Sequence, residues 1–169
     1  MSAIAAANSR VWRLGADVDT DALAPGHAMK HGIEVIAKHC LESLRPEFAA
    51  GVRPGDVVVA GPNFGIGSSR EQAATVLVQL GVAAVIAPSF GGLYFRNAFN
   101  VGLLLLTCEQ AGQIREAERI AFDARQGQIT RAGGQVLATE PIPGFLLDMV
   151  EAGGLMAQLQ LRFQPRTSS

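Results

Sequence analysis

Cysteine is scarce: Cys40 and Cys108 are the only two in 169 residues. Two isolated cysteines neither frame a disulfide scaffold nor supply the ligand set of a zinc or iron-sulfur centre. Charge is sparse as well, at 17% of residues, and nearly balanced, with 14 Lys and Arg against 15 Asp and Glu. A net charge of −1 gives no long-range field that would gather nucleic acid or an anionic membrane, so any anion must be met locally. No apolar run is long enough to span a bilayer, and "MSAIAAANSR" lacks the basic start and the apolar length of a signal-peptide core. These absences lead to the expectation of a soluble, reduced, cytoplasmic protein that needs no disulfide or bound metal to fold.

What is present is glycine, 19 of them, and hydrophobic residues, 49% of the chain. The length suits one domain over residues 1–169, with 1–10 and 164–169 expected to be loose ends. So little charge also leaves apolar surface that self-association or a partner would cover.

Along the chain, "VWRLG" (11–15) reads as a strand and "ADVDTDALAPG" (16–26) as an acidic loop. Apolar residues from Ile33 to Leu44 keep helical spacing up to Pro46. "VVVAG" (57–61) and "AAVIAP" (83–88) are continuous apolar runs of the kind buried on both faces of a parallel sheet. Between them "SSREQAATVLVQLG" predicts a helix capped by a serine, and "SFGGLYFRNAFNVG" (89–102) a second one opened by Ser89, before strand "LLLLT". Residues 56–107 therefore alternate strand and helix, which predicts a parallel unit with its ligand loops at the strands' carboxyl ends. Beyond it, "RIAFD" and "GQITR" suggest a hairpin, "QVLATEPIP" an extended stretch, and "GFLLDMVEAGGLMAQLQL" one or two helices.

The stretch "NFGIGSSREQ" (63–72) carries the chemistry. It admits three readings: a polar turn, a phosphate cradle, or a catalytic site for a carboxylate. It lacks the lysine of the P-loop and the third glycine of the dinucleotide fingerprint. Arg70 is suited to a two-pronged grip on a carboxylate, and Ser68 and Ser69 lie where a helix start would favour an alkoxide. No histidine stands close in sequence to serve a serine nucleophile. Asp17, Asp19 and Asp21 do not follow calcium-loop spacing. His27 and His31 stand four apart, with His39 beside Cys40, yet the spacing offers no further ligand for zinc.

"GPNFGIGSSREQA", followed by "GVAAVIAPSFGGLYFRNAFNVGLLLL" and preceded by "DVDTDALAPG", resembles the small subunit of 3-isopropylmalate dehydratase and its relatives in the aconitase superfamily. The resemblance runs from about residue 11 to 160. It implies an α/β fold, the swivelling β/β/α three-layer domain with a largely parallel central unit. It also implies a hydro-lyase that isomerises a hydroxy di- or tricarboxylate by dehydration and rehydration, in leucine biosynthesis or a related route. Carried over residue by residue, Ser68 becomes the base, Ser69 and Arg70 hold substrate carboxylate, and Asp19 and Thr20 line the rim. Lys30 either meets a further carboxylate or stays solvated. Loss of hydroxide would fall to a [4Fe-4S] cluster on a large subunit, the required partner, because this chain has too few cysteines to hold one. Ile66 stands where the family commonly has cysteine, Gln72 where it has histidine, and "PGHAMKHG" where it often shows "PGRYL". Those departures keep two alternatives open: a related hydro-lyase small subunit acting on dimethylmalate, homoaconitate or a similar acid, or a non-catalytic partner of the same fold.

Overall fold

The computed structural model describes residues 2–163. Seven strands hydrogen-bond in the order β4-β3-β2-β1-β5-β6-β7. The ranges are β1 Ala5–Arg13, β2 Val57–Val59, β3 Ala84–Ala87, β4 Leu105–Thr107, β5 Arg119–Asp123, β6 Gln128–Thr130 and β7 Val136–Ala138. Strands β1 to β4 run parallel to one another, and β5 to β7 join by antiparallel pairing.

β1 belongs to both halves. Its first part pairs with β5, its last three residues pair with β2, and the register shifts between Ala6 and Ser9. Such an irregularity bends a strand and increases its twist, which divides the sheet into a parallel and an antiparallel face. Helices complete the third layer: α2 (Ile33–His39) packs on α4 (Gln72–Gln79), α4 on α5 (Gly92–Asn100), α5 on α6 (Gly144–Ala152), and α6 on α7 (Leu155–Arg162). This is the expected mixed α/β, β/β/α arrangement. None of the described helices is long and apolar enough to cross a membrane.

The parallel strands form where predicted because each is apolar on both faces: Val57, Val58, Val59, Ala84, Val85, Ile86 and Ala87 are fully buried. In the antiparallel half only alternate residues face inward, as with Ile120 and Phe122 of β5. The hairpin and the extended stretch appear as β5, β6 and β7, and the C-terminal segment as two helices.

Three expectations need correction. Residues 5–10 are not a loose end, since β1 begins at Ala5 and lies against β5; Met1 and the tail from 164 on lie outside the described residues. Neither serine caps α4, which starts at Gln72 after Glu71, and Ser89 does not cap α5, which starts after Gly91. The Ser68 and Ser89 hydroxyls hold loops instead, the Ser89 oxygen accepting the Asn63 N–H at 2.9 Å. Finally, α2 ends at His39 rather than running on to Leu44. Leu41 turns to a positive φ of 61° and gives its N–H to the Ala22 carbonyl at 2.8 Å, so a tertiary bond outcompetes the next helical turn.

Candidate active site

Three loops leave the carboxyl ends of β1, β2 and β3, and each continues the pairing of its parent strand. From the first loop, the Val18 carbonyl accepts the Gly65 N–H at 2.7 Å, and the Thr20 N–H reaches the Ile66 carbonyl at 2.9 Å. From the third, the Ser89 carbonyl accepts the Phe64 N–H at 3.1 Å, and the Gly91 N–H returns to the Phe64 carbonyl at 2.9 Å. Asp19 with Ile66 and Phe64 with Phe90 thus form isolated parallel bridges. The middle loop is gripped on both edges.

Below, it rests on aromatic rings. Phe64 is fully buried and meets Tyr94 edge-on at 5.4 Å. Tyr94 in turn donates its hydroxyl to the Ala73 carbonyl at 3.0 Å, and burial raises the pKa of its phenol. Gly65 has φ 82°, and a side chain there would enter the Tyr94 ring. Gly67 has φ 113°, and a Cβ there would stand 2.9 Å from Thr20 Oγ1. Both glycines are therefore required by backbone conformation and by space.

This frame delivers Ser68. Its N–H donates to Thr20 Oγ1 at 3.1 Å, and its own Oγ lies 3.3 Å from that same hydroxyl. Arg70 Nε donates to Ser68 Oγ at 2.9 Å. With Thr20 Oγ1 already accepting from the Ser68 amide, the Thr20 hydroxyl hydrogen is available to Ser68 Oγ. Two donors, one of them cationic, then meet one oxygen, which is how an alkoxide is stabilised. Among the described residues no carboxylate or imidazole bonds to Ser68 Oγ, so the hydrolase arrangement of serine with a histidine base is not built here.

Arg70 is fixed at more than one nitrogen. Nη1 donates to the Ala24 carbonyl at 2.8 Å and to Asp21 Oδ1 at 3.3 Å. With Nε on Ser68, only Nη2 has no protein partner among the described residues, so the guanidinium offers one prong to a carboxylate rather than the two that the sequence suggested. Asp19 caps α1 (Thr20–Leu23), its Oδ1 accepting the Ala22 N–H at 2.8 Å. Thr20 is 2% exposed. The Ser69 side chain stays exposed while its carbonyl accepts from Asn97 Nδ2 at 3.1 Å, so Asn97 anchors the loop. Lys30 lies exposed on the 3-10 turn Gly26–His31, outside this network.

Sequence reasoning grouped Ser68, Ser69, Arg70, Asp19 and Thr20, and the structure brings their loops together. It missed Tyr94 as the floor under Gly65 and the Ala24 carbonyl as a partner of Arg70; backbone acceptors leave no mark in a motif. Ile66, Gly67, Ser68 and Ser69 are all exposed, so the serine group lies on an open rim. A hollow of about 420 Å³, bordered by Pro88, Phe90, Phe95, Arg96, Thr107 and Glu140, excludes both Ser68 and Arg70. Cys40 and Cys108 are fully buried free thiols, and burial raises the pKa of both, so they pack as small apolar groups and do not fit an iron-sulfur cluster.

Residues 49–111 match the family model for the aconitase C-terminal domain. A 3-isopropylmalate dehydratase small subunit from Sulfurimonas denitrificans is 42% identical over 151 residues, covering 88% of this chain and 90% of that one. A methanogen homoaconitase small subunit from Methanothermobacter thermautotrophicus is also 42% identical, covering 87% and 86%. Among solved structures, a 3-isopropylmalate dehydratase from Methanocaldococcus jannaschii superimposes with a TM-score of 0.86 at 36% identity, over 92% of this chain and 93% of that one.

Proposed function

The chain belongs to the family of 3-isopropylmalate dehydratase small subunits, and from that membership we propose that it supplies the proton-transfer half of a hydro-lyase acting on a hydroxy di- or tricarboxylate. The observation that carries this reading is the exposed Ser68 hydroxyl held between Thr20 Oγ1 and Arg70 Nε. Ser68 as alkoxide takes the proton from the carbon beside a substrate carboxylate. Arg70 Nη2 and the Ser69 hydroxyl hold that carboxylate. Thr20 is buried and acts through Ser68, and Asp19 holds the loop through its cap, so both are positioning residues.

The same arrangement supports a two-subunit enzyme. Ser68 and Ser69 stand on an open rim, and a site that excludes water from an alkoxide needs a second wall. The [4Fe-4S] cluster expected for loss of hydroxide has no ligands in this chain and is assigned to the large subunit. Phe145, Met156, Leu161 and Phe163, each more than 60% exposed on or beside α6 and α7, add apolar surface that a partner would cover. Equal identity to an isopropylmalate dehydratase subunit and to a homoaconitase subunit supports the broader substrate class. Lys30 is the cation that a third carboxylate would meet.

The test is anaerobic reconstitution with a cluster-bearing large subunit, followed by hydration assays on unsaturated di- and tricarboxylates. Ser68→Ala should abolish turnover while the complex still assembles. Wild-type turnover in that variant would overturn the assignment.

A further inference from the structure

Outside the serine loop, one group of side chains converges with no role in the chemistry above. His27 is the second residue of the turn Gly26–His31, His39 ends α2, and Glu42 follows three residues later. The Glu42 carboxylate joins them, one oxygen 2.6 Å from His27 Nε2 and the other 2.7 Å from His39 Nδ1. The two rings meet edge-on with centroids 4.8 Å apart. One ligand atom from each of the three residues lies within 4.8 Å of the others.

We propose that His27, His39 and Glu42 form a binding site for a divalent transition metal, with zinc as the best-matched ion. Two imidazole nitrogens and one carboxylate oxygen form a borderline donor set that suits zinc, cobalt or copper far better than calcium or magnesium, which prefer all-oxygen shells. Zinc bonds of about 2.0–2.2 Å place tetrahedral ligand atoms roughly 3.3–3.6 Å apart. The present atoms reach that spacing by small rotations of side chains that are partly exposed, at 59%, 38% and 41%. Glu42 turns one oxygen to each imidazole, so both carboxylate oxygens already face the ring nitrogens that would share the ion. In the metal-free protein a ring hydrogen bridges each imidazole to the carboxylate. Each neutral imidazole then moves its hydrogen to its other nitrogen as the metal takes the vacated lone pair, and a protonated one releases a proton to solvent. The partial exposure of the three side chains leaves a further coordination position for water.

The position of this cluster gives it a consequence. It ties the turn carrying Lys30 to the end of α2, and that turn follows directly on Ala24, whose carbonyl holds Arg70. A bound ion therefore staples the segment beside the serine loop. His31, four residues from His27, is not part of the group.

The experiment uses the full-length chain, titrated with zinc by calorimetry and with cobalt by absorption spectroscopy. The expected result is one ion per chain, visible d–d bands of tetrahedral intensity without a thiolate charge-transfer band, and a raised melting temperature. Affinity should fall at least tenfold in each of His27→Ala, His39→Ala and Glu42→Gln, and stay unchanged in His31→Ala. Thermal melts of the metal-free variants verify that each still folds. Absence of zinc binding at millimolar concentration overturns the proposal, as does a thiolate band or an affinity indifferent to Glu42→Gln.

Discussion

Thr20→Val removes one hydroxyl and keeps the branched shape of a side chain that is 2% exposed. The Ser68 amide loses its acceptor at 3.1 Å, and the Ser68 Oγ loses the donor 3.3 Å away, leaving Arg70 Nε as its one remaining partner among the described residues. Ser68 itself is exposed, so its amide can take water in exchange and folding stability should change little. The alkoxide is different, because a hydrogen bond to a charged group contributes about 1.5–3 kcal/mol. At about 1.4 kcal/mol per tenfold in rate, that is roughly a 10- to 150-fold loss of kcat. KM should stay nearly constant, since Thr20 is buried behind the serine rather than against substrate. Thr20→Ser should restore much of the rate by returning the hydroxyl. The assay is steady-state hydration by the reconstituted two-subunit enzyme, with thermal melts as the control for folding. A folded Thr20→Val enzyme with wild-type kcat would refute the claim that this hydroxyl supports the base, and a pure rise in KM would place Thr20 on the substrate instead.

Gly65→Ala forces a side chain into the Tyr94 ring at a φ of 82°; about 1–2 kcal/mol of backbone strain and about 1–3 of overpacking predict a loss of roughly 2–5 kcal/mol in urea unfolding. A loss under about 1 kcal/mol would mean that the loop is not fixed against the ring. Asp56→Ala strips the acceptor that Arg10 Nη2 meets at 2.8 Å and Trp12 Nε1 at 2.9 Å. Breaking a buried pair costs about 3–5 kcal/mol, and the 30% exposure of Arg10 lowers the expectation to roughly 2–4. Burial raises the Asp56 carboxyl pKa, but hydrogen bonds from Arg10, Trp12 and the Arg53 amide outweigh burial and hold it below its ordinary value of 3.8. Its contribution is thus complete above that value and is lost as pH falls beneath it, so Asp56→Asn should flatten the acid limb of a stability–pH curve; an unchanged limb would contradict the assignment. Arg70→Lys replaces a three-nitrogen fork by one point charge, and both kcat and KM should worsen. Wild-type constants there would remove Arg70 from the site.

The parallel unit was legible because a strand buried on both faces has a distinctive apolar run, and β2, β3 and β4 fall within the predicted stretches. Strand β1 was half hidden. Its alanine-rich beginning carries no strand preference of its own and is extended because β5 pairs with it. Helix starts and stops were misplaced wherever a side chain or amide had a better partner across the fold, as with Ser68 on Thr20 and the Leu41 amide on the Ala22 carbonyl. The same limit applied at the site. Ser68, Ser69 and Arg70 could be picked out by motif, but the joining of Thr20 to Ser68 depends on two loops 48 residues apart. Glu42 stands three residues after His39 but 15 from His27, and only the fold brings that second histidine to it.

The two departures from the family pattern weigh less on the chemistry than their position inside the motif suggests. Ile66 contributes its backbone: its carbonyl takes the Thr20 amide, and it bridges to Asp19. Its side chain is 36% exposed on the open rim, so replacing a cysteine there alters what the rim presents without touching the grip between the loops. Gln72 is the first residue of α4, beyond Arg70, and takes no part in the hydrogen bonds that hold Ser68. A chain that had kept only the fold would be free to lose the exposed serine loop. Here a buried Thr20 hydroxyl and the fixed Arg70 guanidinium both meet the Ser68 oxygen, on a loop that turns at two positive-φ glycines. The balance therefore favours the hydro-lyase over the non-catalytic partner, and it puts the effect of Ile66 on the molecule or subunit that meets the rim.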